Sequence, residues 1–335
     1  MTLEEAIAKI KPLDHNAMEI AQKRWDSIAK PLHSLGKLET LLIQIAGITG
    51  NAEVDLSRRG LIAMCADNGV VEEGVTQTGQ EVTAIVAENF LKYDTSVGVM
   101  CKQNHAEIFP VDMGMVTDTK VRTDHKIAYG TQNMTKGPAM TREQAVKGLE
   151  AGIDMVRELN DKGYRILATG EMGIGNTTTS SAVASVLLKQ PVEEMTGRGA
   201  GLTSEGLVRK INAIKKAIAL NKPDPEDAID VLAKVGGLDI AGMAGVFLGG
   251  AVYGIPVVMD GFISCVSALI AMRICPAAHL ILENMGKEAI IHADMCLGEG
   301  TGAVALFPIL DLAAAVYHSM STFNDIHVEQ YEELK

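Results

Sequence analysis

RILATGEMGIGNTTTSSAVASVLL, residues 165–188, is the stretch that decides the fold class of this chain. It opens with an apolar run at residues 165–168 and continues with a glycine-rich segment at residues 170–178. A helical pattern follows over residues 179–188. A short apolar run, a glycine turn and a helix in this order are typical of one unit of a parallel α/β sheet.

Four more apolar runs repeat this arrangement, at residues 61–66, 107–111, 255–259 and 289–292. Helical patterns separate them, which favours a Rossmann-like parallel sheet flanked by helices. The five runs lead into polar or glycine-rich turns at residues 67–69, 112–114, 169–171, 260–261 and 298–300. Because open α/β sheets bind ligands at the carboxyl ends of their strands, we expect a site at that edge.

Both ends of the chain are helical in pattern. Thr2 and Glu5 have the spacing of a capping box, residues 14–29 and 35–48 predict two further helices, and residues 304–319 predict another. We therefore expect a small helical domain from residues 1–50 plus 304–335 and a large α/β catalytic domain from residues 51–303.

Composition narrows the partners and the compartment. The 335 residues carry a formal net charge of −12, and no stretch gathers Lys and Arg, which argues against nucleic acid. The five cysteines lie far apart with no CxxC pair, and the eight histidines have no metal-ligand spacing. We predict a cytoplasmic protein without metal or cofactor, and the charged N-terminal stretch lacks the apolar core of a signal peptide.

One uncharged stretch, residues 240–259, is long enough to span a bilayer. Gly254, Ile255 and Pro256 interrupt it, and Asp239 and Asp260 stand at its ends. We interpret it as a buried helix followed by a buried strand, with no membrane partner.

The glycine-rich loop suggests a phosphate site. The backbone N–H groups at the start of the following helix, together with the helix dipole, attract phosphate. Gly170 and Gly175 have the spacing of a P-loop, but Asn176 stands where the lysine should be, and no third glycine completes a dinucleotide fingerprint. The alternative is a glycine turn that only packs helix on strand.

A second glycine turn, Gly197-Arg198-Gly199-Ala200-Gly201, precedes a helix whose predicted buried stripe is Leu207, Ile211, Ile214 and Ile218. Lys210 flanks this stripe. It could reach a phosphate, although a lysine whose stem lies along an apolar face is the commoner case.

Glu299 is the candidate general base. It lies between Gly298 and Gly300 after the apolar Met295, Cys296 and Leu297, and burial would raise its pKa towards the working pH. The alternative is a glutamate in a surface turn. Glu171 is either a second, supporting acid or a cap for its own loop.

Eight ordered segments together resemble the nicotinate-nucleotide:dimethylbenzimidazole phosphoribosyltransferase family over nearly the whole chain. They are KPLHSLGKLE (30–39), CADNGVVEEGV (65–75), VDMGM (111–115), GPAMTREQA (137–145), GEMGIGNTT (170–178), KVGGLDIAGMAGV (234–246), MDGF (259–262) and LGEGTGA (297–303). Each segment alone is weak, and their order makes the resemblance specific.

The resemblance implies the transfer of phosphoribosyl from nicotinate mononucleotide to an aromatic acceptor, by a dimer with its active sites near the interface. It implies that Glu299 is the general base. The positions that match the family's phosphate cradle are Gly173, Gly175, Asn176, Thr177, Thr178 and Lys210. Gly197 and Gly199 match its neighbouring substrate loop. Thr78, Val86 and Leu297 match its acceptor pocket.

Three departures from the family pattern concern the acceptor side. The chain lacks a segment between Pro276 and His279 that contains Ser-His-x-Ser-Ala-Glu in most members, Cys296 stands where arginine is usual, and residues 76–79 read Thr-Gln-Thr-Gly instead of Ser-Ala-Tyr-Pro. We therefore hypothesise a benzimidazole or phenol acceptor, with the chain acting as a homodimer or beside a paralogous subunit. Two rivals stay open: a non-catalytic subunit of a hetero-oligomer, and, more distantly, a nicotinamide-dependent oxidoreductase.

Overall fold

A parallel β-sheet forms the centre of the computed structural model, which describes residues 1–275 and 290–332. Its strands are β1 (Arg59–Ala66), β2 (Ala106–Gly114), β3 (Ile166–Met172) and β4 (Val257–Val258), in the order β2-β1-β3-β4. All three strand pairs are parallel. The predicted α/β fold is thereby confirmed.

The fifth predicted strand was wrong where it can be tested. Residue 289 lies outside the described residues, and residues 290–292 form no strand. Ile290 and Ile291 are half-buried and His292 is exposed, and none of the three pairs with a described strand. Two predicted turns were also wrong, since residues 112–114 and 169–171 lie inside β2 and β3. Strands β2 and β3 each pair with β1, one on either side of it, and this pairing extends both strands through the predicted turns.

The helices surround the sheet on both faces. The described ones are α1 (Leu3–Lys9), α2 (His15–Ser27), α3 (Lys37–Thr49), α4 (Glu81–Lys92), α5 (Ser96–Gln103), α6 (Arg142–Asp161), α7 (Asn176–Leu187), α8 (Val192–Met195), α9 (Ser204–Asn221), α10 (Ala228–Val235), α11 (Leu238–Tyr253), α12 (Phe262–Ile274) and α13 (Thr301–Ser319). The capping box predicted at Thr2 and Glu5 is present.

Strand β1 divides the interior into two hydrophobic cores. Leu61, Ala63 and Cys65 face one core, and Ile62 and Met64 face the other, as the two-residue period of a strand requires. Helices α6 and α11 belong to the core of Ile62, whereas α2, α3 and α13 belong to the core of Leu61. Both faces of the sheet are therefore covered.

The uncharged stretch that begins at residue 240 forms most of α11, which is followed by β4. This confirms the predicted buried helix and strand. Glycines allow α6 and α11 to approach closely, because a Cβ at Gly249 would lie 2.9 Å from Val156 Cβ. Among the described helices, α13 alone is long and apolar enough to cross a membrane by composition. Its Phe307 and Leu310 are buried in the core of Leu61, which is the environment of a core helix.

The two ends of the chain meet at the core of Leu61. The Trp25 ring on α2 lies edge-on to Tyr317 on α13, with the ring centroids 5.1 Å apart. Helix α1, in contrast, packs on the other face, where Leu3 and Ala6 join the core of Ile62. The division into two domains stays a prediction.

Candidate active site

The glycine-rich loop lies at the carboxyl end of β3 and leads into α7. Its turn is closed by the N–H of Asn176, which donates to the carbonyl of Gly173 at 3.0 Å. Gly175 has a φ of +95°, and a Cβ at Gly173 would lie 2.5 Å from both the Ala66 carbonyl oxygen and Asp239 Oδ2. The two glycines are thus required by backbone conformation and by close packing.

Lys210 lies against the amino end of α7. Its Nζ donates to Thr177 Oγ1 at 2.8 Å and to the carbonyl of Gly197 at 3.2 Å. Gly199, with a φ of +56°, packs beside the same hydroxyl. The structure therefore brings together four of the predicted phosphate residues, which come from three separate segments.

Lys210 is itself part of the buried stripe of α9, with only 1% of its surface exposed. The predicted stripe was partly wrong, because Leu207, Ile211 and Ile218 are only half-buried while Gly206, Ala213 and Ala217 are buried. The small residues leave room for the lysine stem. Burial lowers the pKa of Lys210 to about 8, and no carboxylate among the described residues forms an ion pair with it. A cation held this way favours an anionic ligand.

Asn176 links two buried carboxyl groups. Its side-chain amide donates to Asp239 Oδ2 at 3.0 Å and also donates to Glu171 Oε2. Burial raises the pKa of Glu171 to about 8, and the neighbouring charge of Asp239 adds to the rise. Burial likewise raises the pKa of Asp239 to about 7. One proton shared by the two acids would lower their mutual repulsion.

Glu299 lies in a strained turn. Its φ is +62°, between Gly298 at +88° and Gly300 at +97°. For a residue with a side chain this conformation costs about 1–2 kcal/mol, so the surrounding contacts must hold it. Burial raises the pKa of the half-buried carboxyl, the N–H of Val97 opposes the rise, and the charge of Asp260 adds to it. The Val97 N–H donates to Glu299 Oε2 at 3.4 Å.

The turn of Glu299 packs directly on the end of β3. A Cβ at Gly298 would lie 2.5 Å from Glu171 Oε1, and Gly170 lies against the carbonyl of Glu299. The backbone N–H of Glu299 also favours the ionised form of Glu171. Glu171 therefore contacts both the turn of Glu299 and, through Asn176, the start of α7.

The other predicted residues are placed less closely. Thr178 is fully buried, and its N–H donates to the carbonyl of Gly175 at 2.9 Å. Thr78 is exposed in the loop before α4, Val86 is half-buried on α4, and Leu297 is 57% exposed before the turn of Glu299. These last three residues come from three segments, and their grouping into one acceptor pocket stays a prediction.

Two acidic residues of the site received no role from the sequence. Asp239 is fully buried at the start of α11, and Asp260 follows β4 and accepts hydrogen bonds from the backbone N–H groups of Gly300, Gly302 and Ala303. The sequence could have pointed to both aspartates, because each stands at one end of the uncharged stretch of residues 240–259. Asp239 opens a helix that is almost wholly buried, and a buried acid needs partners.

One large cavity lined by described residues touches the edge of these groups. It measures about 640 Å³, is mostly apolar, and lies beside β4 between α3, α11 and α12. It reaches Asp260 and Gly302 but contains neither Glu299 nor Lys210. The polar contacts described above, and not this apolar cavity, therefore locate the candidate site.

One described group has the donor atoms for a metal ion: Asp124, His125 and Glu158. Arg122 forms ion pairs with both of its carboxylates, so one of their two negative charges is already compensated. The sequence showed no such spacing because Glu158 comes from a different element, α6.

Comparison with known proteins places the chain among transferases. A phosphoribosyltransferase family model matches residues 10–328. The nicotinate-nucleotide--dimethylbenzimidazole phosphoribosyltransferases of Ruminiclostridium cellulolyticum and Clostridium acetobutylicum are 49% and 48% identical, and each alignment covers 100% of both chains. The crystal structure of CobT from Thermus thermophilus superposes with a TM-score of 0.86 at 35% identity, covering 94% of this chain and 100% of that one.

Proposed function

The chain belongs to the nicotinate-nucleotide:dimethylbenzimidazole phosphoribosyltransferase family and is a phosphoribosyltransferase, and from this premise we propose its substrates and the roles of its residues. The donor is nicotinate mononucleotide. The acceptor is an aromatic base of the benzimidazole or phenol type, and the product is an α-ribotide for the nucleotide loop of a cobamide. The observation that carries the proposal is the contact of the Glu299 turn with Glu171, which Asn176 links to the start of α7.

The donor needs little help to leave. The pyridinium ring of nicotinate mononucleotide is cationic, so when its bond to C1′ of the ribose breaks, the electron pair neutralises the ring nitrogen. The acceptor nitrogen or phenol oxygen forms the new bond to C1′. Attack from the face opposite nicotinate inverts the anomeric carbon.

The acceptor does need a base. A neutral azole or phenol must lose its proton as the new bond forms, and in our proposal the carboxylate of Glu299 accepts it. The raised pKa of Glu299 supports this role, because a base whose pKa is closer to the working pH accepts a proton more readily. Glu171 serves as the supporting acid beneath the same turn.

Binding of the phosphate is assigned to the start of α7 and the two glycine turns. Lys210 supplies the positive charge, Thr177 supplies a hydroxyl, and the residues that surround them are Gly173, Gly175, Asn176, Thr178, Gly197 and Gly199. Phosphate binding takes place away from C1′, and its binding energy helps to align the nicotinate ring and the acceptor ring.

The acceptor is the open part of the proposal. Thr78, Val86 and Leu297 would line its pocket, and two departures from the family pattern, Cys296 and residues 76–79, stand on that side. The third, between Pro276 and His279, lies outside the described residues. We further propose that the enzyme is cytoplasmic, because its five cysteines are widely spaced, and that it acts as a homodimer or with a paralogous subunit.

The test is an assay of the purified protein with nicotinate mononucleotide and a panel of benzimidazoles and phenols. Nicotinate release and the ribotide are followed by liquid chromatography and mass spectrometry. Replacement of Glu299 by Gln should lower kcat by about 10²–10⁴-fold, the usual contribution of a general base. Glu19→Gln on the exposed side of α2 is the control.

Each result separates the alternatives. Reaction with benzimidazoles only would reject the phenol reading, and assays with and without a paralogue would decide the assembly. If Glu299→Gln leaves the rate of the assembled enzyme unchanged, the chain is a non-catalytic subunit. Formation of a β-ribotide would contradict inversion.

A further inference from the structure

Asp260 provides the amino-terminal cap of the helix that follows Glu299. Its Oδ1 accepts from the N–H groups of Gly302 at 2.7 Å and Ala303 at 3.3 Å, and its Oδ2 accepts from that of Gly300 at 3.1 Å. Gly300, the residue before α13, has no side chain that could cap the helix itself. Asp260, which lies 42 positions before Gly302 in the chain, therefore satisfies two N–H groups in the first turn of α13.

Asp260 is itself held in place. Its N–H donates to Ser264 Oγ at 3.3 Å, and that hydroxyl lies 2.6 Å from Thr169 Oγ1 on β3. The Thr169 hydroxyl in turn donates to the carbonyl of Val258 on β4 at 3.3 Å. The backbone of Asp260 is thus linked to two strands of the sheet.

These contacts bear on the turn of Glu299. Asp260 accepts a hydrogen bond from the N–H of Gly300, the residue directly after Glu299. The backbone of Glu299 itself has a φ of +62°. A Cβ at Gly302 would lie 2.6 Å from Asp260 Oδ1, so the carboxylate and α13 leave no space between them. Asp260 therefore holds the backbone on the carboxyl side of Glu299.

Charge gives Asp260 a second effect. Within residues 1–275 and 290–332, the Val97 N–H at the amino end of α5 and Asp260 from the segment after β4 act on the Glu299 carboxyl, and Glu171 lies against the backbone of the same turn. A negative Asp260 disfavours the ionised form of Glu299.

We propose that Asp260 is a positioning residue for phosphoribosyl transfer: it fixes the turn that carries Glu299 and places a negative charge near that carboxyl. The proposal rests on the proposed role of Glu299 as the general base. Asp260 touches neither substrate in this scheme, and it acts only through the turn and through its charge.

Two variants separate geometry from charge. Asp260→Asn keeps the shape of the side chain but removes its charge and one acceptor. Gly302→Ala keeps the charge and crowds the contact, and alanine suits a helix well enough for α13 to form. Because a misplacement of about 1 Å can cost about 100-fold, we expect kcat to fall by about 10–100-fold in both, with the KM for nicotinate mononucleotide nearly unchanged.

The pH profile is the readout that a merely structural role would not move. Activity falls at low pH as Glu299 is protonated, and Asp260→Asn should shift this acidic limb of kcat to lower pH because a like charge has been removed. Gly302→Ala should leave the limb in place. Asp311→Asn makes the same charge change farther along α13 and is the control.

The outcomes are distinguishable. If Asp260→Asn lowers only the melting temperature, while kcat and its acidic limb stay as in the wild type, the proposal is overturned. Glu299→Gln is assayed in parallel: an active Glu299→Gln enzyme would refute the proposed function, whereas an inactive one beside a fully active Asp260→Asn enzyme would refute only the role of Asp260.

Discussion

The side-chain amide of Asn176 lies 3.0 Å from Asp239 Oδ2 and binds the carboxylate of Glu171 with the same nitrogen. Asn176 stands where a P-loop would have its lysine. It therefore binds two buried acids of its own chain, and the cation of this site comes from α9 as Lys210.

The acid pair makes stability depend on pH. The pKa values of Glu171, about 8, and Asp239, about 7, are raised in the folded protein, so the folded state holds protons that the unfolded chain releases. Stability from this source is complete below the unfolded pKa values, near 4, and is lost as pH rises towards 8. Asp239→Asn should weaken the pH dependence of the melting temperature between pH 6 and pH 9, measured by differential scanning fluorimetry. Parallel curves for the variant and the wild type would contradict the coupling.

Lys210 should make nucleotide binding weaker in alkaline solution. Its pKa of about 8 means that the free protein loses this charge as pH rises above 8, so the KM for nicotinate mononucleotide should rise there. Lys210→Met should raise KM by about 10–100-fold below pH 8, the effect of losing one charged hydrogen bond, and by less above pH 8, where the wild-type lysine has lost the same charge. Lys216→Met, at an exposed position of the same helix, should not. A KM that stays level from pH 7 to pH 9.5 would argue against Lys210 as the phosphate ligand.

Gly298 should not tolerate a side chain. Its φ is +88°, and a Cβ would lie 2.5 Å from Glu171 Oε1. Gly298→Ala should therefore move the turn of Glu299, lower kcat, and cost about 1–2 kcal/mol of stability for the left-handed backbone alone. At Gly137 a Cβ would meet nothing within 4 Å, so Gly137→Ala is the control. Equal kcat values for the two variants would show that the contact with Glu171 is dispensable.

Trp25 reports on the terminal helices. It is the sole tryptophan of the chain and is fully buried against Tyr317, in the same core as Leu61 and Ala63 of β1. We expect urea unfolding followed by its fluorescence to coincide with unfolding followed by far-UV circular dichroism, because a shared core unfolds cooperatively. Two separated transitions would instead support an independent terminal domain. Trp25→Ala should cost about 3–5 kcal/mol.

The sequence by itself determined the fold class and the family. Apolar runs alternating with helical patterns predicted β1, β2 and β3, and the capping box predicted the start of α1, because hydrophobic periodicity and helix caps are local properties of the chain. The same locality explains the errors. The predicted strand at residues 289–292 and the predicted turns at 112–114 and 169–171 depended on whether a neighbouring strand was available, which no local pattern reveals.

Only the tertiary structure decided which side chains meet. Lys210 looked like a flanking lysine, yet it is buried against Thr177. Asp239 and Asp260 received no predicted role at the ends of the uncharged stretch. In the structure Asp239 binds Asn176, and Asp260 caps α13. These contacts join residues from 33 to 63 positions apart in the chain. The physical reason is that a buried charge must find its partner in space, and the packing of whole helices and strands, not the order of residues, brings that partner within reach.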